Sequence, residues 1–317
     1  GKLRLLPTYK QDTFSSDFPG YGSRLVCGTS GLGGIWGTVD EQESIDCMLY
    51  ALENGITSFD TSPSYSNAEK LLGKALAQWK GARPFVSTKV GRLQADSAFD
   101  ARLDYSPGGM RESILRSLDL LGVGYVDLLF LHEPQWVPIA RMGEILETLL
   151  SFREAGYTRM LGIGGNPSKA FLPFIDKKYF GVLSTFTKMD ACNLSAFKEI
   201  LPTTLTQGIS IYAASSLHFG LLGNRFDHFV SEGNRGFEDN ISEKDIEKAI
   251  LVNDLAFRNG MALPEMAQRY LFSMEEATRI VMGARKISQV KDTVDCWKSG
   301  ALSKELFDAI TAVILKD

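Results

Sequence analysis

The 317-residue chain has few of the residues that staple a fold or bind metals. Its four cysteines, Cys27, Cys47, Cys192 and Cys296, stand far apart, with no CxxC and no metal-ligand spacing. His218 and His228 are isolated in sequence from any second ligand pattern. No metal site is therefore expected, and a reducing, cytoplasmic setting is. No apolar run approaches the ~20 residues a membrane span needs, and the start of the chain lacks the apolar core of a signal peptide. The net charge is −4 and the pI about 5.6. That balance argues against nucleic acid and against an electrostatic hold on a membrane. There is no low-complexity tract and no break in composition, so a single domain over residues 1–317 is expected.

What is present is alternation. Ile45, Met48, Leu49 and Leu52 recur at i, i+3, i+4 and i+7, the spacing of one buried helix face, and Gly55 ends that helix. A short strand runs from Ile56 to Phe59. Ser66 and Glu69 then have capping-box spacing, and Ala68, Leu71, Leu72 and Ala75 make the stripe behind them. "PFVSTKV" reads as the next strand. Ser106-Pro107 opens another helix, and "VDLLFLH" is apolar on both faces, as a buried parallel strand should be. "RLVCG", "RMLGIGG", "GVLST", "GISIYAA" and "RIVMG" complete a set of eight strands, each followed by helical sequence. Eight such units in one uninterrupted chain favour an α/β fold of the closed (β/α)8 TIM-barrel type over an open sheet. The longest irregular stretches, about 91–105 and 218–244, would lie over the active-site face. Lys304 to Leu315 reads as an amphipathic covering helix.

In such a barrel the C-terminal strand ends carry the chemistry. The second strand ends at Asp60, with Tyr65 on the loop beyond. The third ends at Lys89 and the fourth at His132. Singly, each has a bland reading as turn former, staple, solvated cation or satisfied core histidine. Together they have a chemical logic. A free tyrosine has a pKa of about 10, and an ammonium beside it favours the phenolate. A buried lysine stays charged only if a carboxylate holds it. Asp60 would hold Lys89, Lys89 would lower the pKa of Tyr65, and Tyr65 would move the proton from an exposed position. His132 would orient the reacting oxygen.

At these residues the chain resembles the aldo-keto reductase family. "GITSFDTSPSYSNAEKLLGKAL" is similar to the family segment carrying the catalytic aspartate and tyrosine, "FVSTKVG" to that of the lysine and "LGVGYVDLLFLHEP" to that of the histidine; "RMLGIGGNP" and "IVMGARKISQV" match further segments. The resemblance implies NADP or NAD bound across the strand ends, a carbonyl or sugar substrate, and a monomer or weak homo-oligomer. It assigns the nicotinamide side to Asp60, Tyr65, Lys89 and His132, the carboxamide to Asn166, and the pyrophosphate to Ser215 and Leu217. Gly283, Arg285, Lys286 and Gln289 fall at the adenosine end, and Thr29 beside the cofactor. The chain departs from the family pattern at Gly165, Thr187, Ala214, Gln289 and Thr293, which bears on cofactor grip and on NADP preference. The branch it looks nearest oxidises L-galactose, L-fucose or D-arabinose.

Trp36 and Trp136, on loops after the first and fourth strands, would line a substrate pocket or simply pack. "GTSGLGGIWG" is glycine-rich but is not GxGxxG, so a tight loop is the better reading. Two other functions fit parts of this pattern. A Schiff-base lyase would use Lys89 as its nucleophile, and a sensor or regulatory protein would bind the cofactor with little turnover.

Overall fold

Eight strands close on themselves. The computed structural model describes residues 5–231 and 241–317. Its strands are β1 (Leu25–Gly28), β2 (Ser58–Asp60), β3 (Phe85–Val90), β4 (Val126–His132), β5 (Thr158–Gly164), β6 (Val182–Phe186), β7 (Ser210–Ala214) and β8 (Arg279–Gly283). All pair parallel and in sequence order, and β8 returns to β1. This is a (β/α)8 barrel.

The period of two along each strand divides the core. Val26, Phe85, Leu128, Phe130, Val182 and Tyr212 point into the barrel. Their alternates, such as Val86, Leu129, Leu131 and Ile211, face the surrounding helices in a second cluster. Gly162 makes room for one inward ring: a Cβ there would lie 2.9 Å from the Phe130 ring. The same parity carries the inward row of β2 to Asp60, of β3 to Lys89 and of β4 to His132. Pairing of Asp60 with Ser87 and of Lys89 with Phe130 sets these ends at neighbouring heights.

The opposite end is plugged by the chain's first segment. Arg279, at the start of β8, is buried with its guanidinium carbon 3.8 Å from the Phe18 ring centre and 4.3 Å from that of Phe85. It also donates to the Tyr212 hydroxyl at 3.1 Å. Arg24, equally buried, donates to the carbonyl oxygens of Thr13, Leu271, Phe272, Met274 and Ala277. Burial pushes it down to about 10, and no carboxylate contacts its guanidinium in a salt bridge among the described residues.

Two connections differ from the strand-then-helix expectation. After β5 there is only the single 3-10 turn Leu172–Phe174, and after β6 the one-turn helices Ala196–Glu199 and Leu201–Thr204. Pro167, Pro173 and Pro202 remove the amide donors a longer helix would use there. The helix after β2 runs Ala68–Gln78 with Asn67 at its cap and no side-chain capping bond. The capping box read at Ser66 and Glu69 does not form. Ser66 has φ 54°, and Glu69 turns inward to accept from the Thr88 hydroxyl at 2.7 Å. The terminal helix Lys304–Leu315 forms as read.

All four cysteines are buried as free thiols. Burial pushes each thiol up, Cys47 and Cys296 to about 11. Of the irregular stretch 218–244, residues 232–240 lie outside the described residues; Phe226–Ser231 is helical.

Candidate active site

The Lys89 ammonium sits 2.8 Å from Asp60 Oδ2 and donates to the Thr61 carbonyl at 2.8 Å. Asp60 Oδ1 accepts from the Ser87 hydroxyl at 2.7 Å, and Ser87 is the strand partner of Asp60. Thr29 is fully buried behind this pair, and its hydroxyl donates to the Asp60 carbonyl at 2.9 Å. Its place is as a brace for the β2 end rather than at an open face. Lys89 Nζ lies 4.7 Å from the centre of the Tyr65 ring, and that ring meets the His132 ring edge-on at 6.4 Å. The three strand-end residues and Tyr65 converge on one spot.

Tyr65 reaches this spot because its loop packs on Gly33. A Cβ at Gly33 would fall 2.0 Å from the Tyr65 carbonyl oxygen, so no larger residue fits without moving the loop. The glycine-rich "TSGLGG" is thus a close backbone approach, ending in a left-handed Gly34. Tyr65 is half-buried rather than held out in solvent.

The charges correct one expectation. Burial pushes the Tyr65 phenol up; the Lys89 ammonium opposes it, and Asp60 and Glu133 add to the rise. The net shift is upward, because a phenolate loses more on leaving water than one cation returns when two carboxylates stand nearby. Tyr65 therefore keeps its proton at neutral pH. Burial works against the Lys89 ammonium, but Asp60 and Tyr65 outweigh it and hold Lys89 above the usual lysine range. His132 is pushed down by burial and is neutral at pH 7.

Sequence reasoning missed several neighbours. Glu133, directly after His132, has Oε1 3.2 Å from His132 Nε2 and accepts from Gln135 at 2.6 Å. Arg92 lies 3.6 Å from the same carboxylate and 5.8 Å from the Trp136 ring. Trp36 meets Phe99 at 6.2 Å and Phe219 at 6.3 Å, and Phe219 meets Phe186 at 6.3 Å. These rings link the end of β6 and the loops after β1, β3 and β7 into one wall. A cavity of about 640 Å³ is lined by Trp36, Asn67 and Phe99 but by none of the four converging residues.

The remaining candidates lie along the same rim. Asn166 has both ends of its amide engaged with β6, accepting from Thr185 at 2.6 Å and donating to the Phe186 carbonyl at 2.9 Å. Ser215 has φ 53° and, with Leu217, begins the loop after β7. Gly283, Arg285 and Lys286 are exposed before the helix Ile287–Lys298. Gln289 Oε1 accepts from the Arg285 and Lys286 amides at 2.7 and 3.3 Å, so it caps its own helix.

His218 is less isolated than its sequence position suggests. Nδ1 lies 2.6 Å from Asp190 Oδ2 and Nε2 3.1 Å from Asp245 Oδ2, all buried. Asp190, Cys192 and His218 bring their ligand atoms within 4.8 Å of one another, yet both imidazole nitrogens already face carboxylates. Burial opposes the charge on His218, but the two aspartates push it up to about 10.

A closed barrel with a buried lysine–aspartate pair under a tyrosine and a histidine defines a class of oxidoreductase, and the comparisons agree. The model of the Aldo/keto reductase family matches residues 24–315. L-galactose dehydrogenase of Arabidopsis thaliana is 28% identical over 86% of this chain and 83% of its own. D-arabinose 1-dehydrogenase of Saccharomyces cerevisiae is 36% identical over 40% of this chain and 39% of its own. The holo structure of aldo-keto reductase AKR11C1 from Bacillus halodurans superposes with a TM-score of 0.75 at 22% identity, covering 97% of this chain and 96% of that one. The chain belongs to the aldo/keto reductase family. It is an NAD(P)-dependent oxidoreductase.

The rim suits such a cofactor. Exposed Gly283 has nothing within 4 Å of where a Cβ would stand, and Arg285 and Lys286 supply positive charge beside it. No helix among the described residues is long and apolar enough to cross a membrane.

Proposed function

We propose that this protein moves hydride between a nicotinamide cofactor and the carbonyl carbon of an aldehyde, ketone or sugar lactol, with Tyr65 as the proton donor and acceptor. The observation that carries this is the contact of Lys89 with Asp60 at 2.8 Å beneath the Tyr65 ring. Asp60 keeps Lys89 charged, and Lys89 stabilises the phenolate left when Tyr65 gives up its proton. The raised Tyr65 holds that proton ready at neutral pH for an oxygen that becomes alkoxide-like. Hydride itself is supplied or accepted by the bound nicotinamide. In reduction the rate stays level through neutral pH. In oxidation it climbs with alkalinity, as more of the phenol ionises.

The same geometry disfavours a lyase. An imine-forming lysine must shed its proton, whereas Lys89 is held protonated. The sugar dehydrogenases among its relatives, L-galactose dehydrogenase and D-arabinose 1-dehydrogenase included, favour a sugar or another polyol-derived carbonyl. On this reading, by the family resemblance, Asn166, Ser215, Leu217, Gly283, Arg285 and Lys286 are the cofactor's neighbours, and Trp36 and Trp136 the substrate's. Gln289 serves this reading by shaping the strand-eight turn.

The test is a fluorescence titration with NADH and NADPH, followed by turnover on a carbonyl and sugar panel. Tyr65→Phe should lose about 10²–10⁴ in kcat while keeping cofactor affinity. Undiminished turnover in that variant removes the mechanism. Tight cofactor binding without turnover in the native protein turns the reading toward a sensor.

A further inference from the structure

Glu133 does not have the backbone of an ordinary loop residue. Its φ and ψ are both 60°, a left-handed conformation that a side chain rarely adopts. The surroundings enforce it. The Tyr105 hydroxyl bridges the carbonyl oxygens of His132 and Glu133 at 2.8 and 3.1 Å, and the Glu133 amide donates to the Gly164 carbonyl at 2.9 Å. Such strain persists where the fold over-determines it, commonly at working sites.

The strained backbone aims a carboxylate at the reacting centre. Glu133 is 8% exposed, and Oε1 lies 3.2 Å from His132 Nε2. Oε2 is taken by Gln135 at 2.6 Å, and Arg92 at 3.6 Å from Oε1 helps keep the group ionised. Because His132 is neutral and its partner is a carboxylate, the imidazole proton sits on Nε2. Nδ1 is buried without a partner among the described residues. The imidazole N–H expected to steady a substrate oxygen therefore also has the Glu133 carboxylate within 3.2 Å.

We infer that Glu133 is a specificity-determining residue that selects substrates bearing a hydroxyl on the carbon next to the reacting one. This rests on the oxidoreductase reading above. When the reacting oxygen takes the His132 N–H, Oε1 is left a buried, ionised acceptor with only the Arg92 guanidinium 3.6 Å away, and that is costly. A hydroxyl on the neighbouring carbon supplies Oε1 with a close donor, because two oxygens on adjacent carbons span about the gap between Nε2 and Oε1. A plain aldehyde accepts from His132 but offers Glu133 nothing. An α-hydroxy aldehyde, or a sugar reacting at its first carbon, satisfies both residues. The nearby Gln135 and Trp136 add an amide and a ring on the same loop.

Lactaldehyde and propanal differ by that one hydroxyl. The native enzyme should prefer lactaldehyde in kcat/KM by about tenfold to a hundredfold, the range for leaving a buried polar group unpaired. Glu133→Gly suits the left-handed backbone and removes the carboxylate; its ratio should fall to near one. Glu133→Gln keeps an accepting oxygen without the charge and should retain a few-fold preference. A purely structural role would slow both aldehydes alike and leave the ratio unchanged. An unchanged ratio in Glu133→Gly overturns the inference. So does a native enzyme that reduces both aldehydes equally well, with the oxidoreductase reading left standing. A native enzyme that binds NADH or NADPH but reduces neither aldehyde and oxidises no sugar overturns both.

Discussion

Two histidines sit buried on the same face of this barrel and have opposite fates. His218, after β7, has a carboxylate on each ring nitrogen and is pushed up to about 10. His132, at the end of β4, has one carboxylate at 3.2 Å, an Nδ1 without a partner among the described residues and a proton affinity lowered by burial. Burial acts on both alike. The number of carboxylates decides the outcome, since two anions repay the desolvation of an imidazolium and one, opposed by Lys89 and Arg92, does not. The saturated histidine ties the loops after β6 and β7 to the start of the helix Glu243–Arg258. The unsaturated one keeps hydrogen-bonding capacity for a reactant.

The contrast breaks if the two respond alike to substitution. His132→Ala should lose about 10²–10⁴ in kcat/KM with little change in melting temperature. An early melt with normal kinetics would mean that His132 is the structural one. Asp190→Asn should destabilise the fold by about 3–5 kcal/mol, the usual result of removing one partner of a buried ion pair. Denaturant midpoints measure this, and the folded fraction should still turn over substrate.

The comparison sharpens with pH. His218 is raised above its unfolded value, so its contribution is complete below about pH 6.5. It is lost as the pH climbs toward about 10, where the folded protein releases that proton. Urea midpoints of the native protein and Asp190→Asn should converge across that window; a constant gap would show that His218 is not charged. The smallest effect concerns Glu69, which burial raises and which accepts from Thr88. Thr88→Val should cost about 1 kcal/mol, because this carboxyl can take up a proton instead of remaining a stranded charge.

Most of the barrel was legible because the periods of two and 3.6 survive in the apolar residues. The connections after β5 and β6 were not, since a few prolines override helical composition. Asp60, Lys89 and His132 stood out because each is ionisable at the end of an apolar strand, and Tyr65 because it follows Asp60 on the next loop. The upward shift of Tyr65 was hidden, as it depends on how much water the loops exclude and on Glu133. Glu133 had a visible signal, a second ionisable residue directly after the strand-end histidine in "LHEP". The partners of His218 gave none: Asp190 and Asp245 are 28 and 27 residues away and meet it only where the connections after β6 and β7 pack against the start of the helix Glu243–Arg258. The Ser66–Glu69 spacing failed because Thr88, on the next strand, competes for the same carboxylate.

The burial of Cys27, Cys47, Cys192 and Cys296 turns the thiols into a built-in clock for opening. Alkylating reagents attack the thiolate, and here each sulfur is both shielded and slow to ionise. Iodoacetamide labelling of the intact enzyme would therefore count opened molecules. The order in which the four sites become labelled would show which wall of the barrel parts first.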